Sequence, residues 1–244
     1  MTLCFRVVGV DEPKFQEEKP QMQELYKEYQ AQGRIKNPRE NILTFPTLID
    51  DVVHFNTTRI VKKNPTNAQD ITMAEIDARE QVFELLCMLK ENFDSFKNAR
   101  LLMTATRIGV RESRMIEGEY ILTQEDLLAF TKFEDGIAVS NYEIDIHNPE
   151  GTGTSHYFFP AGEYYSIPYR CLTPKATENL LVAGRCISST HEAQASYRIM
   201  PVCASLGEAA GIAAALAKKS MCSVKAVDIS LLRKTIQAHG GRVD

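Results

Sequence analysis

The sequence predicts a mixed α/β fold, and three observations support this fold class. Residues 1–11 (MTLCFRVVGVD) form a strand-like apolar run, and residues 70–96 repeat apolar side chains at helical spacing. Further along the chain, the short apolar run NLLVAGR precedes SLGEAAGIAAALAKK, a helix-forming segment rich in small residues. With 44% hydrophobic and 25% charged residues among 244, the chain can bury a sizeable core.

The opening residues predict a strand, and a polar amphipathic stretch follows it. Residues 20–32 carry apolar side chains at Met22, Leu25, Tyr26 and Tyr29, which predicts a surface helix that ends at Gly33. The runs VVHF and RIV, between residues 42 and 61, predict two short strands.

The clearest helix prediction covers residues 70–96. Thr72 and Glu75 have the spacing of a capping box, in which each side chain bonds a backbone N–H at the start of a helix. Four large apolar side chains recur near helical spacing: Ile76, Phe83, Leu86 and Phe93.

The second half of the chain alternates predicted strands and helices. A second capping pair, Thr123 and Asp126, begins a short helix that runs to Phe130. NLLVAGR, over residues 179–185, is typical of a buried parallel strand. The remaining predicted elements are a strand over residues 115–122, a strand over residues 136–146 and a helix over residues 230–238 closed by Gly240.

Charge and cysteine usage narrow the class of protein. The chain has 28 basic and 32 acidic residues, a net charge of −4, which argues against a nucleic-acid or anionic-membrane surface. Its six cysteines form no CxxC pair, which favours buried, reduced thiols in a cytoplasmic protein. Arg6 and Asp11 interrupt the opening run, so it does not match a signal peptide. The most apolar segment, residues 202–217, contains Glu208 and is shorter than a bilayer span, so we expect a soluble protein.

Three motifs in order carry a family resemblance. ENLLVAGRCISSTHEAQASYRIMPVCASLGEAAGIAAALA resembles the C-terminal flavin segment of the FAD-dependent oxidoreductase family that is related to fumarate reductases and glucose-inhibited-division-like flavoproteins. Upstream, IGVRESRMIEGEYILTQED resembles the RESR segment of that family, and SIPYRCLTPK resembles its lead-in to the last strand. The resemblance covers nearly the whole chain and is strongest from Arg107 onward.

The resemblance implies a fold in two parts. Residues 1–172 would form a mixed-sheet substrate domain, and residues 173–244 would supply the C-terminal strand and helices of a Rossmann-like FAD-binding domain. Gly207 and Gly211 would then let a helix lie close to the sheet. The implied reaction is hydride transfer between a small organic substrate and the flavin, with the redox chemistry supplied by the cofactor.

The same resemblance assigns cofactor-binding residues. Gly184 would end a strand where the backbone passes close to the ribityl chain and pyrophosphate, with Arg185 beside it to meet a phosphate or a ribityl hydroxyl. The next helix would point its N-terminus at the flavin pyrimidine, where unpaired N–H groups stabilise negative charge. The residues of that approach are Arg198, Ile199, Met200 and Val202, with Pro201 near the first turn.

Four residues are candidates for substrate binding or catalysis. Arg111 and Arg114 could hold a substrate carboxylate or relay a proton, or could form ordinary salt bridges. His156 could act as a general acid or base, or could be a hydrogen-bonded loop histidine. Tyr169 belongs to the aromatic segment that the family places near the flavin. No second ligand pair accompanies His191 and Glu192, so no metal is expected.

The phosphate-binding fingerprint GxGxxG is missing from these residues. The single GxG, at Gly151-Thr152-Gly153, follows no apolar strand and begins no helix. We therefore expect the C-terminal portion of an FAD-dependent oxidoreductase that holds FAD weakly or not at all on its own. Two alternatives stay open: one half of a split flavoenzyme whose partner chain brings the missing half, and a non-catalytic binding module. Self-association into a homo-oligomer is also possible.

Overall fold

The computed structural model describes residues 1–147 and 153–244, so most of the predicted GxG at 151–153 lies outside the described residues. The chain divides into two compact units. Unit 1 is built from Met1–Arg111 and takes in Gly153, and unit 2 is built from Glu112–His147 and Thr154–Asp244. The predicted boundary at residue 172 divides a substrate domain from part of a cofactor domain, which is a division by function and not by compactness. It stays a prediction.

Unit 1 is a four-stranded antiparallel sheet with two long helices. Its strands are β1 (Phe5–Val8), β2 (Thr44–Pro46), β3 (Val52–Phe55) and β4 (Arg100–Thr104), in the spatial order β2-β3-β1-β4. Its helices are α1 (Glu12–Ala31) and α2 (Ala68–Asn92), and a 3-10 turn covers Asp94–Phe96. The opening strand and the VVHF strand are confirmed, and the stacked rings of Phe5 and Phe55, 4.7 Å apart, join them in the core. RIV forms no strand.

Helix α1 confirms the end of the predicted surface helix and corrects its start. The helix begins at Glu12 because the Asp11 side chain caps it, and it runs through Pro20 before ending ahead of Gly33. Gly33 adopts a φ of +70°, a left-handed conformation that glycine takes without steric cost.

Helix α2 is confirmed and its predicted cap is wrong; of the four large apolar side chains at helical spacing, Phe93 is buried and Leu86 is half-buried. The cap is Asn67, whose side chain accepts from the N–H groups of Gln69 and Asp70, whereas the Thr72 hydroxyl donates back to the carbonyl of Ala68. Phe83 is 70% exposed and Ile76 is 47% exposed. The buried stripe consists mainly of small or aliphatic side chains at helical spacing: Ala74, Ala78, Val82, Leu85 and Leu89.

Unit 2 surrounds its own core with two small antiparallel sheets and four helices within its described residues. Strands β5 (Gly136–Ser140) and β8 (Tyr165–Pro168) form one sheet, and β6 (Ile144–His147) and β7 (Thr154–Tyr157) form the other. The helices are α3 (Gln124–Leu128), α4 (His191–Tyr197), α5 (Met200–Ser220) and α6 (Ile229–Ala238), and 3-10 turns cover Tyr169–Cys171 and Val224–Ala226. The capping box of Thr123 and Asp126 is confirmed, as is the C-terminal helix closed by Gly240.

Of the strands predicted in unit 2, those over residues 115–122 and 179–185 are absent from its described residues, and the one over residues 136–146 is interrupted. Residues 115–122 make only isolated bridges, and coil separates β5 from β6. NLLVAGR is irregular coil that ends in a turn at Gly184 and Arg185, and it makes one backbone hydrogen bond, from Val182 N–H to the Leu172 carbonyl at 2.9 Å. A buried strand needs a neighbouring strand for its N–H and C=O groups, and no described residue supplies one. The mixed α/β class is confirmed, and the Rossmann-like character stays a prediction.

Candidate functional site

The N-terminus of helix α5 is uncapped. Ile199 occupies the cap position with extended backbone, and no side chain accepts a capping hydrogen bond from the first turn. Pro201, in the first turn, has no N–H to satisfy. The first bond of the helix runs from Cys203 N–H to the Ile199 carbonyl at 3.0 Å, so the N–H groups of Met200 and Val202 have no acceptor among the described residues. These donors, at the positive end of a 21-residue helix, form a site that favours negative charge.

Gly184 and Arg185 make an open turn. Gly184 has a φ of +90°, and a Cβ added there would meet no atom within 4 Å. Glycine is therefore required by the backbone conformation, while the space beside it is free. The Arg185 side chain is exposed.

Tyr197 joins this turn to helix α5. Its buried hydroxyl lies 2.9 Å from the Ser189 hydroxyl and donates toward the carbonyls of Arg185 and Ile187, each at 3.4 Å. Burial raises the pKa of the Tyr197 phenol well above its ordinary value, so the hydroxyl stays protonated. The backbone carbonyl of Tyr197 accepts from the Cys203 thiol at 3.8 Å, within the first turn of α5. One residue thus fixes both predicted cofactor elements.

Arg198, His156 and two carboxylates form a charged cluster in front of α5. Arg198 Nη2 donates to the backbone carbonyl and to Oδ2 of Asp145, both at 3.0 Å. Asp145 and His156 are partners across the β6–β7 pair, with Asp145 Oδ1 3.8 Å from His156 Nδ1. Glu143 Oε2 is closer to that nitrogen, at 2.8 Å, and the His156 ring stacks on Phe158. The structure therefore brings the predicted residues His156 and Arg198 together through Asp145.

The other three predicted catalytic residues are dispersed. Tyr169 is buried, its hydroxyl donates to the Val224 carbonyl at 2.8 Å, and burial raises its pKa to about 12. Arg111 belongs to unit 1 and donates to Thr2 Oγ1 at 2.8 Å. Arg114 belongs to unit 2, is exposed, and forms no ion pair with any residue of the described ranges.

The structure adds three carboxylates that the sequence did not single out, of which Asp145 is the partner of Arg198. Glu143 orients His156, and Glu112 lies 2.5 Å from Nδ1 of His191. The members of this last pair are 79 positions apart, so no spacing rule could have found them. Among residues 1–147 and 153–244, no group of three potential metal ligands occurs.

Helix α5 also has the length and composition of a membrane-spanning helix, with a mean hydropathy of 1.5. Its apolar stretch is longer than the sequence prediction allowed. Core helices of soluble proteins can have the same length and composition, but only 28% of this apolar stretch is buried. Its buried side chains pack into the core of unit 2: Val202, Leu206, Ala209, Ala213 and Ala217. Gly207 and Gly211 do not serve close packing within this chain, because a Cβ at either position would meet nothing within 4 Å.

Comparison with known proteins identifies the family. The family model described as FAD dependent oxidoreductase matches residues 1–236. The chain belongs to this family, which supports a flavin-linked redox function. No curated protein and no solved structure matches the chain.

The residues present fit one end of FAD. The uncapped amides of Met200 and Val202 suit the electron-rich edge of a flavin ring, and the open turn at Gly184 leaves room for a chain of atoms beside the backbone. The fit ends there, because the sequence contains no GxGxxG loop to hold the pyrophosphate.

Proposed function

We propose that this chain carries the flavin-ring and substrate side of an FAD-dependent oxidoreductase, and that the reaction is hydride transfer between a small organic molecule and the flavin. The observation that carries the proposal is the junction at Tyr197, which holds the Gly184–Arg185 turn and the first turn of α5 in one hydrogen-bonded unit. The chemistry supplied by bound FAD is two-electron transfer at its ring.

The chain's contribution to the cofactor is made mostly by backbone. The N–H groups of Met200 and Val202 would stabilise negative charge on the ring, and Gly184 would let the ribityl chain pass. The guanidinium of Arg198 is already engaged with Asp145, so this residue contributes by positioning the helix start. Arg185, which is exposed, would meet a ribityl hydroxyl.

The four predicted catalytic residues differ in whether their side chains are accessible to a substrate. Arg114 is exposed and can form a bidentate pair with a carboxylate. His156 Nδ1 lies 2.8 Å from Glu143 Oε2, which leaves its Nε2 as one candidate for proton exchange with substrate. Tyr169 keeps its proton and its bond to Val224, which supports a role in packing. Arg111 donates to Thr2 Oγ1 at 2.8 Å, and its role toward substrate stays a prediction.

The AMP and pyrophosphate are held, in this proposal, by a dinucleotide-binding segment that these 244 residues do not contain. That segment belongs either to the same polypeptide or to a partner chain. Without it, the chain loses the contacts that supply most of the affinity for FAD, so the purified chain should be colourless.

The proposal is tested by titrating the chain with FAD and with riboflavin and following flavin fluorescence. If only the ring end is held, the two ligands should bind weakly and with Kd values within about threefold of each other. Flavin retained through gel filtration, or FAD binding that far exceeds riboflavin binding, contradicts this division of the cofactor. No binding of either ligand at millimolar concentration favours a non-catalytic module.

A matched pair of variants locates the site. Gly184→Val should weaken riboflavin binding at least about tenfold, because the branched side chain fills the free space. Gly162→Val is the control, since Gly162 has a φ of +89° and is equally open, so both variants carry the same backbone strain. Equal loss in the two variants would show that strain, not the cofactor path, is responsible.

A further inference from the structure

A histidine and a glutamate outside the predicted site form a close pair in unit 2. His191 Nδ1 lies 2.5 Å from Glu112 Oε2. The His191 side chain is 43% exposed and that of Glu112 is 27% exposed, so the pair is reachable from solvent. It differs from the surface pair of His239 and Glu208, whose atoms are 3.6 Å apart.

Backbone and side-chain contacts fix this pair beside the Gly184–Arg185 turn. The Ile116 N–H donates to the Cys186 carbonyl at 3.1 Å, and the Ser189 hydroxyl donates to the Met115 sulfur at 3.2 Å. The segment that begins at Glu112 therefore runs along the segment that ends at His191. The Ser189 hydroxyl also lies 2.9 Å from the hydroxyl of Tyr197, the residue that bonds the Arg185 carbonyl of the turn.

The pairing determines which nitrogen of His191 is available. An ionised carboxylate only accepts hydrogen bonds, so the neutral imidazole carries its proton on Nδ1 and leaves the lone pair on Nε2. Nε2 has no partner among residues 1–147 and 153–244. Histidine oriented by a carboxylate in this way is the arrangement of a general base, because the carboxylate fixes the tautomer and stabilises the imidazolium that forms.

We propose that His191 is the acid–base residue of the reaction and that Glu112 is its positioning residue. This inference rests on the proposed function. When a substrate H–C–X–H unit becomes C=X, Nε2 of His191 would take the X–H proton, and the ring of bound FAD would be the acceptor of the hydride. The imidazolium then carries one positive charge against the carboxylate of Glu112. In the reverse direction Nε2 returns the proton to X.

The pairing is tested first by NMR on the 15N-labelled chain, with the His191 ring assigned by its loss in His191→Gln. Long-range correlations should show the Nδ1–H tautomer as the major neutral form. Glu112→Gln keeps an acceptor oxygen and should keep this tautomer, whereas Glu112→Ala should make it the minor form. A major Nε2–H tautomer in the unsubstituted chain overturns the inference, and so does a tautomer that Glu112→Ala leaves unchanged.

The site is tested by adding millimolar FAD to the same sample. Shifts in the amides of Met200 and Val202 together with the His191 ring support the proposal, while the His239 ring, in the surface pair, should not move. If the amides shift and His191 does not, the inference fails and the proposed function stands. If neither shifts, the proposed function fails and takes this inference with it. A shift of the His156 ring in place of the His191 ring assigns the acid–base role to His156 and overturns the proposal.

Discussion

Replacing Tyr197 by phenylalanine tests the junction that holds the candidate site. The variant keeps the buried ring and removes one hydroxyl, which bonds Ser189 at 2.9 Å and shares a longer contact with two carbonyls. A neutral hydrogen bond contributes about 0.5–1.5 kcal/mol net, and a buried group left unsatisfied adds about 1–3 kcal/mol. Since Ser189 is only partly buried, we expect the free energy of unfolding of unit 2 to fall by about 2 kcal/mol.

The assay is urea unfolding followed by circular dichroism, combined with the riboflavin titration. Tyr165→Phe is the matched control, because Tyr165 is also fully buried and its hydroxyl lies 2.8 Å from the Ser196 hydroxyl. Both variants should lose stability, and only Tyr197→Phe should weaken flavin binding, since only Tyr197 holds the Gly184–Arg185 turn. A loss below about 0.5 kcal/mol in Tyr197→Phe, or equal effects of the two variants on flavin binding, would refute the reasoning.

Three further predictions concern stability. Gly211→Ala should raise the free energy of unfolding by about 0.5–1 kcal/mol, because alanine has the higher helix propensity and the added Cβ meets open space. Gly118→Ala should lower it, because the added Cβ would lie 2.7 Å from a neighbouring side chain. A loss of stability in Gly211→Ala, measured by urea unfolding, would contradict the open space at that position. Asp145→Ala leaves Arg198 without its carboxylate and should cost about 2 kcal/mol, and a neutral result by thermal melting would show that the pair is only a surface contact. Burial opposes ionisation of Glu40, but its backbone hydrogen bonds and nearby arginines hold its pKa below the ordinary value. The contribution of the Glu40 carboxylate to the stability of unit 1 is therefore present at neutral pH and is lost as pH falls through the lowered pKa. Glu40→Gln should flatten the acid side of the stability–pH profile. An unchanged acid side would assign acid unfolding to other groups.

Helix α2 shows why the sequence predicted an element but not its packing. The helix carries two apolar stripes of the same period, one with Ile76 and Phe83 and one with Ala74 and Ala78. The sequence singled out the large side chains of the first stripe. The fold buries the second stripe, because small side chains let a helix lie close to its neighbours. Periodicity identifies a helix, whereas the choice between two stripes depends on the partner surface.

The family resemblance, and not periodicity, singled out Gly184 and the start of α5 as cofactor-binding elements, and that assignment stays a prediction. The structure gives Gly184 a positive φ and leaves the start of α5 without a side-chain cap. Side-chain partners were not predictable, because the hydrogen bonds of His156 with Glu143 and of His191 with Glu112 arise only when distant segments pack together. The strand prediction at 179–185 failed since strand formation requires a neighbour.

The irregular coil at residues 179–185 limits how tightly a ligand that contacts it can bind. With one backbone hydrogen bond, at Val182, most of its amides should exchange with deuterium within seconds, near the rate of an unprotected chain. A ligand or strand that pairs with this segment must first restrict its backbone, at about 1–2 kcal/mol per residue ordered. The gain in protection on binding would therefore measure, amide by amide, how much of the interaction free energy is consumed in ordering, and a pre-ordered variant of this segment should bind the same ligand more tightly.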